Sequence, residues 1–149
     1  LAEGFNIGLA AIAFNGSMVF GRLIGDKLKE IFGIYNFLVF SVIGSFIGSL
    51  FIASSSSLLF AILGFVLAGF CVSSIIPICY TFGASIENLN PTVGITIITI
   101  GVYGVFMIAP PALGYVADIF GIEYVYTPML ILFLSISAIV IFQKKLFKN

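Results

Sequence analysis

Long apolar runs alternate with short polar segments along the whole chain. Five runs are long enough to cross a bilayer as helices, which takes about 20 mostly apolar residues because lipid offers the backbone no hydrogen-bond partner. These runs cover residues 4–21, 32–53, 58–82, 92–116 and 122–142. The segments between them are short and polar or rich in turn residues, so none could hold a separate soluble domain. The pattern predicts an all-α integral membrane protein of about five transmembrane helices.

Composition supports the same class of protein. Hydrophobic residues make up 61% of the 149 positions and charged residues only 8%, whereas a soluble domain is about half apolar and a quarter charged. The net charge is zero, so no overall field attracts nucleic acid. Cys71 and Cys79 lie eight positions apart in an apolar run, which matches neither a disulfide framework nor a zinc or redox spacing. We expect no cofactor, no metal site and no catalytic residues, because no nucleophile stands beside a base and histidine is absent.

Basic residues predict how the chain is oriented in the membrane. They fall in two clusters, one after the first run and one after the last: Arg22, Lys27 and Lys29, and Lys144, Lys145 and Lys148. Four crossings separate the clusters, so both lie on the same side, and Lys and Arg are enriched on the cytoplasmic side. The sequence therefore predicts a cytoplasmic C-terminus, with residues 83–90 also inside and residues 54–57 and 117–121 outside.

The first cluster, "GRLIGDKLKEIFG" at residues 21–33, holds five of the twelve charged residues. Orientation accounts for its basic members. It does not account for Asp26 and Glu30, because acids contribute little to topology. We interpret the stretch as a connector whose acids have a further role.

Three motifs carry a resemblance to a known family. The stretch at 21–33 resembles the loop signature of the major facilitator superfamily, although Gly21 and Asp26 are five apart instead of four and Lys29-Glu30 replaces a basic pair. "SSIIPICYTFGASI" at 73–86 is similar to helix 10 of the fucose-permease-like sugar transporters. "GVYGVFMIAPPALGYVADIFG" at 101–121 resembles helix 11 of that branch. The motifs occur in the family's order along the chain.

The resemblance implies that residues 1–149 are the C-terminal portion of a transporter. The five runs would be helices 8 to 12 of a twelve-helix fold, with the N-terminal half of the same protein absent. Such a protein would be a secondary active transporter in the inner (plasma) membrane of a bacterium. It would move a small polar solute, with a sugar suggested by the branch, by alternating access, coupled to a proton or cation by symport. The alternative is a small five-helix membrane protein with a scaffold or oligomeric role.

The resemblance also assigns roles within the loop signature. In the family, the signature Asp holds cytoplasmic helix ends together in the outward-open state, and here that residue is Asp26. The other signature positions are Gly21, Arg22, Gly25 and Lys27. The alternative is that Asp26 is a solvated acid beside basic neighbours, since exposed ion pairs contribute little.

Polar residues within the runs are candidates for contact with a substrate. In the family, helices 7 and 10 line the cavity with help from 8 and 11, and the candidates on these helices are Asn15, Tyr80, Thr96, Thr99 and Tyr103. From Thr92 to Tyr103 the spacings of four, three and four place a polar stripe on one helix face. That stripe faces a cavity or another helix, or its hydroxyls bond back to carbonyls one turn earlier. Asn15 is either a substrate contact or an interhelical hydrogen-bonding group.

Prolines and small residues predict bends and close packing. Pro77 removes a backbone donor in the middle of a run and predicts a kink, and Pro110 and Pro111 predict a bend in the next run. One face of the second run carries only small residues, which suits close helix packing. Its members are Ser41, Gly44, Ser45, Gly48 and Ser49.

Overall fold

The described part of the protein, residues 2–55 and 57–142 of a computed structural model, is helical with short connectors and contains no strand. Four stretches are long and apolar enough to cross a membrane: Gly8–Phe32, Ile34–Ser54, Leu58–Ala84 and Pro91–Phe120. A fifth apolar helix, Tyr126–Phe142, has 17 residues. The predicted all-α membrane protein is confirmed. The basic residues Lys144, Lys145 and Lys148 lie outside the described residues.

Six α-helices and one 3₁₀ turn follow one another along the chain. In order they are α1 (Ala2–Phe32), α2 (Ile34–Ser54), α3 (Leu58–Val72), α4 (Ile75–Ala84), α5 (Pro91–Phe120), the 3₁₀ turn (Ile122–Val125) and α6 (Tyr126–Phe142). They form two compact units. The first contains α1, α2, α3 and α6, and the second comprises Ile76–Val125.

The interpretation of residues 21–33 as a connector was wrong. Helix α1 continues to Phe32, and Gly33, with φ 76° and ψ 151°, is the single residue between α1 and α2. The segment contains no proline and is rich in good helix formers such as Leu, Lys and Glu. A salt bridge one turn apart, between Lys29 Nζ and Asp26 Oδ1 at 2.6 Å, adds local support. The connector expected at 117–121 is also helical up to Phe120.

The small-residue face predicted on α2 packs closely against α3. A Cβ placed on Gly48 would lie 2.7 Å from the backbone nitrogen of Ala68 and 2.9 Å from the carbonyl oxygen of Gly64. Ser41 and Ser45 are fully buried. The hydroxyl of Ser45 donates to the Ser41 carbonyl at 2.7 Å within its own helix, so Ser45 presents little more than its small volume to its neighbours. The predicted packing role is confirmed.

Helix α3 also packs against α1, and α6 packs against α2. Gly21 and Gly25, one turn apart on α1, are buried against the end of α3. A Cβ on Gly21 would lie 2.7 Å from the carbonyl oxygen of Phe70, and one on Gly25 would lie 2.7 Å from the Ser74 hydroxyl. Close approach of backbones is a principal source of helix association in lipid, where no hydrophobic force drives helices together.

Candidate functional site

Two glycines bring α4 and α5 into backbone contact. A Cβ on Gly83 would lie 3.0 Å from the Gly94 carbonyl oxygen, and a Cβ on Gly94 would overlap the Gly83 carbonyl. Residues Ser85–Asn90 make the turn between these helices, and the Asn90 side chain caps α5 by accepting from the Thr92 amide at 3.0 Å. Farther along α5, a Cβ on Gly101 or Gly104 would meet nothing within 4 Å. The two helices therefore touch near the turn, and space opens beside α5 away from it.

Tyr80 and Thr99 are brought together one turn beyond this contact. Their hydroxyl oxygens lie 3.4 Å apart, while the Thr99 hydroxyl also donates to its own helix at the Ile95 carbonyl, at 2.8 Å. A hydroxyl has one proton to donate, and the shorter bond uses that of Thr99. The Tyr80 hydroxyl can therefore donate its proton either to the Thr99 oxygen or to another acceptor. The pair can donate to and accept from a neutral solute.

The rest of the polar stripe follows on α5. The Thr96 hydroxyl donates to the Thr92 carbonyl at 2.8 Å, so Thr96, like Thr99, bonds back one turn. Bonding back to a carbonyl one turn earlier was one of the two interpretations of the stripe. It uses only the proton of each hydroxyl, so the lone pairs of the oxygen remain available to a donor. Tyr103 is 69% exposed. Tyr80, Thr96, Thr99 and Tyr103 thus form an accessible row of neutral hydrogen-bonding groups in the second unit.

Asn15 belongs to the other unit. It lies on α1, is exposed, and its amide nitrogen donates to the Ala11 carbonyl at 2.8 Å. The interhelical hydrogen bond considered for it is not seen among the described contacts. Its amide oxygen points to no protein donor that the structure records.

The loop-signature residues occupy opposite sides of the end of α1. Gly21 and Gly25 face α3, whereas Arg22, Asp26 and Lys27 are exposed. The side chain of Asp26 is 82% exposed and pairs with Lys29. The glycines thus fix the helix in place while the charged residues remain accessible at its surface.

The helix predicted to kink at Pro77 is interrupted. The α-helical pattern stops after Val72 and resumes at Ile75, and the missing amide proton of Pro77 leaves the Ser73 carbonyl, four residues earlier, without its usual donor. Ser73 and Ser74, at the interruption, are 2% and 4% exposed, and Gly21 and Gly25 of α1 pack directly against them. By contrast, α5 remains helical through Pro110 and Pro111.

Sequence reasoning missed this contact between the signature glycines and the interruption. The Gly-x-x-x-Gly spacing of Gly21 and Gly25 was the available signal, because that spacing lets helix backbones approach closely. Within the part of the chain that the structure describes, no group of three His, Cys, Asp or Glu residues could hold a metal ion.

Two curated proteins are similar to most of this chain. One is membrane protein MosC of Rhizobium meliloti, 30% identical over 120 residues, which are 76% of this chain and 28% of MosC. The other is an uncharacterized MFS-type transporter of Yersinia pestis, 28% identical over 131 residues, which are 88% of this chain and 34% of that protein. The chain therefore spans about a third of the length of the curated relatives it matches.

No protein-family model matches the chain, and no solved structure matches it. The two similarities support an integral membrane protein of the transport type and, at the level of the superfamily, the major facilitator superfamily.

Proposed function

We propose that this chain is helices 8 to 12 of a twelve-helix secondary transporter of the major facilitator superfamily. The observation that carries the proposal is the similarity of 88% of the chain to an MFS-type transporter that is about two and a half times as long. The interruption of the helix at Ser73 and Ser74, shortly before Pro77, is compatible with it, since transporter helices are often discontinuous. The N-terminal half of the protein would supply the other wall of the path.

The cargo would be a small neutral polar solute, and a sugar fits best. Tyr80, Thr96, Thr99 and Tyr103 present hydroxyl groups without charge, and such groups suit hydroxyl-bearing solutes. Asn15, on α1, is a separate candidate contact whose amide suits the same class of solute. The resemblance of 73–86 and 101–121 to the fucose-permease-like branch suggests the sugar, because fold alone does not fix cargo.

Asp26 would act as the gating acid at the cytoplasmic end of α1. Its salt bridge to Lys29 is exposed, and pairs of this kind contribute about 0–1 kcal/mol. A partner in the N-terminal half could therefore replace Lys29 at little cost. Alternating access would form and break that second contact as the two halves rock. The basic residues Arg22 and Lys27 would face the cytoplasm in a bacterial inner membrane, and the C-terminus would lie on the same side.

Uptake measurements with two matched tyrosine variants test the proposal. Tyr103 and Tyr115 lie on the same helix, and their exposures, 69% and 67%, are nearly equal, but only Tyr103 belongs to the polar stripe. Cells making the protein would be assayed with a panel of labelled sugars and polyols. Tyr103→Phe removes one hydrogen bond worth about 0.5–1.5 kcal/mol, which corresponds to an increase in the apparent KM of about two- to tenfold. Tyr115→Phe should leave the KM unchanged.

Two results would contradict the proposal. Equal KM values for the two variants would mean that the polar stripe does not contact the substrate. Absence of uptake for every neutral solute, together with a native product no longer than these 149 residues detected through its C-terminal "KKLFKN" sequence, would favour the five-helix scaffold instead.

A further inference from the structure

A cavity of about 460 Å³ lies in the first unit, where α1 ends and α2 begins. Its wall is almost wholly apolar and consists of Leu28, Phe32, Asn36, Phe37, Phe40 and Phe70. The one amide among them, Asn36, donates to the Phe32 carbonyl at 3.0 Å. The size is within the range of small-molecule sites, about 300–1,000 Å³. No residue assigned above to substrate or gating lines this cavity.

From the charge pattern we expect the cavity to lie just below a membrane surface. Helices α1 and α2 join through Gly33, and five charged residues occupy the preceding three turns of α1, so this end of the helices is at the water boundary. Phe40 is six residues into α2, about 9 Å along the helix at 1.5 Å per residue. The headgroup layer is about 5–8 Å thick on each side of the hydrocarbon core. The cavity therefore opens where acyl chains begin.

Charges are unevenly placed around this opening. Asp26 and Glu30 are each two residues from Leu28, about 160° around the helix axis from it. Lys29 is next to Leu28 and three residues before Phe32, so it borders both lining positions, and its side chain is only 21% exposed. Gly33 gives α2 no side-chain cap, and the first turn of α2 contains no acid. The positive end of that helix dipole thus lies at the same level.

We propose that the cavity binds one acyl chain of an anionic phospholipid, with the phosphate between Lys29 and the first turn of α2. The phenylalanine wall suits a hydrocarbon chain and offers nothing to a sugar or an ion. Lys29 at the rim is paired with Asp26, but that carboxylate is 82% exposed and such pairs are weak, so a phosphate can share or replace it. The uncapped first turn of α2 adds a second positive group that favours a negatively charged headgroup. This lipid site does not depend on the cargo, although Lys29 is also the ion-pair partner of Asp26.

Tryptophan fluorescence provides a direct test, because the 149 residues contain no tryptophan. Phe40→Trp places a fluorophore on the cavity wall. Phe60→Trp is the control, since Phe60 is 60% exposed in the first turn of α3, away from the cavity. The protein as its host makes it, with tryptophans elsewhere replaced, would be placed in phosphatidylcholine vesicles with increasing fractions of chain-brominated phosphatidylglycerol or chain-brominated phosphatidylcholine.

In Phe40→Trp we expect brominated phosphatidylglycerol to quench the fluorescence at about a fivefold lower mole fraction than brominated phosphatidylcholine. One lysine near the membrane surface provides a preference of about this size for an anionic lipid. Phe60→Trp should respond equally to both lipids. Adding Lys29→Gln should reduce the preference to about one, and adding Leu28→Phe, which fills part of the cavity, should weaken quenching by both lipids at Phe40→Trp. Lys27→Gln removes the same charge about 140° around the helix from Phe32 and should retain the preference.

Three outcomes would overturn the inference. Equal quenching of Phe40→Trp by the two lipids would mean ordinary bulk lipid. Absence of quenching at Phe40→Trp, with normal quenching at Phe60→Trp, would mean that another part of the protein covers the cavity. Equal loss of preference in Lys27→Gln and Lys29→Gln would mean diffuse surface charge instead of a site.

Discussion

The contact between α2 and α3 at Gly48 permits a quantitative prediction. The Cβ introduced by Gly48→Ala would lie 2.7 Å from the Ala68 nitrogen, 2.9 Å from the Gly64 oxygen and 3.0 Å from the Ala68 Cα. All three are backbone atoms, so no side chain can rotate away. Carbon contacts are optimal at about 3.5–4.0 Å, so the helices must separate by about 0.5–1 Å at this point, which forfeits a quarter to a half of the dispersion energy of the facing atoms.

The expected cost is about 1–3 kcal/mol, the usual penalty for overpacking a close contact. Gly16→Ala is the matched control, because Gly16 is also a helical glycine but a Cβ there meets nothing within 4 Å. Both changes gain the same helix propensity, about 0.5–1 kcal/mol. The difference in unfolding free energy between the two variants therefore isolates the packing term.

Titration with sodium dodecyl sulfate in dodecyl maltoside micelles, followed by circular dichroism, would give both free energies of unfolding. Gly48→Ala should unfold at a lower denaturant fraction than Gly16→Ala. If the two variants unfold together, α2 and α3 are not in backbone contact, and the explanation given for the small-residue face of α2 is refuted.

Three further predictions concern other parts of the chain. Asp26→Asn should lower the transport rate without lowering the amount of protein in the membrane, whereas Glu30→Gln, an exposed acid one turn away, should leave transport unchanged; equal rates in a flux assay would remove the gating assignment. Gly94→Ala should lower the melting temperature, because its Cβ would overlap a backbone carbonyl, while Gly104→Ala should not; identical thermal melts would argue against the α4–α5 contact. Cys71 is 1% exposed and should react with a maleimide only after unfolding, so labelling of the native protein in mass spectrometry would contradict its burial.

Much of the helical architecture could be predicted from sequence because membranes impose a simple rule. Apolar runs of sufficient length become helices, and the predicted runs correspond to the helices seen. The small-residue face of α2 and the interruption near Pro77 were also predictable, since each follows from local chemistry. Gly48 has no side chain and therefore permits close approach of a second helix. Pro77 has no amide proton and therefore cannot donate a backbone hydrogen bond.

Other features depend on which residues meet across the chain, and a single sequence does not specify that. The cavity wall combines Leu28, Asn36 and Phe70 from three helices, and no spacing pattern links them. The 3.4 Å approach of Tyr80 and Thr99 depends on the register that Gly83 and Gly94 establish. The end of α1 was misinterpreted because five clustered charges are typical of a connector, although the same residues also favour a helix.

Because a single residue separates α1 from α2, the charged segment moves as the rigid end of α1 and not as a loop. Residues 21–32 are twelve helical residues, about 18 Å long at 1.5 Å per residue, and Gly33 has a backbone conformation that other residues adopt only under strain. Asp26 therefore cannot shift as part of a loose loop. A tilt of about 10° about residue 21 would move the far end of this 18 Å rod by about 3 Å and Asp26, about 7.5 Å from the pivot, by about 1.3 Å, which would lengthen an ion pair. A small tilt of α1 within the membrane would therefore produce a larger displacement of its charged end at the water boundary.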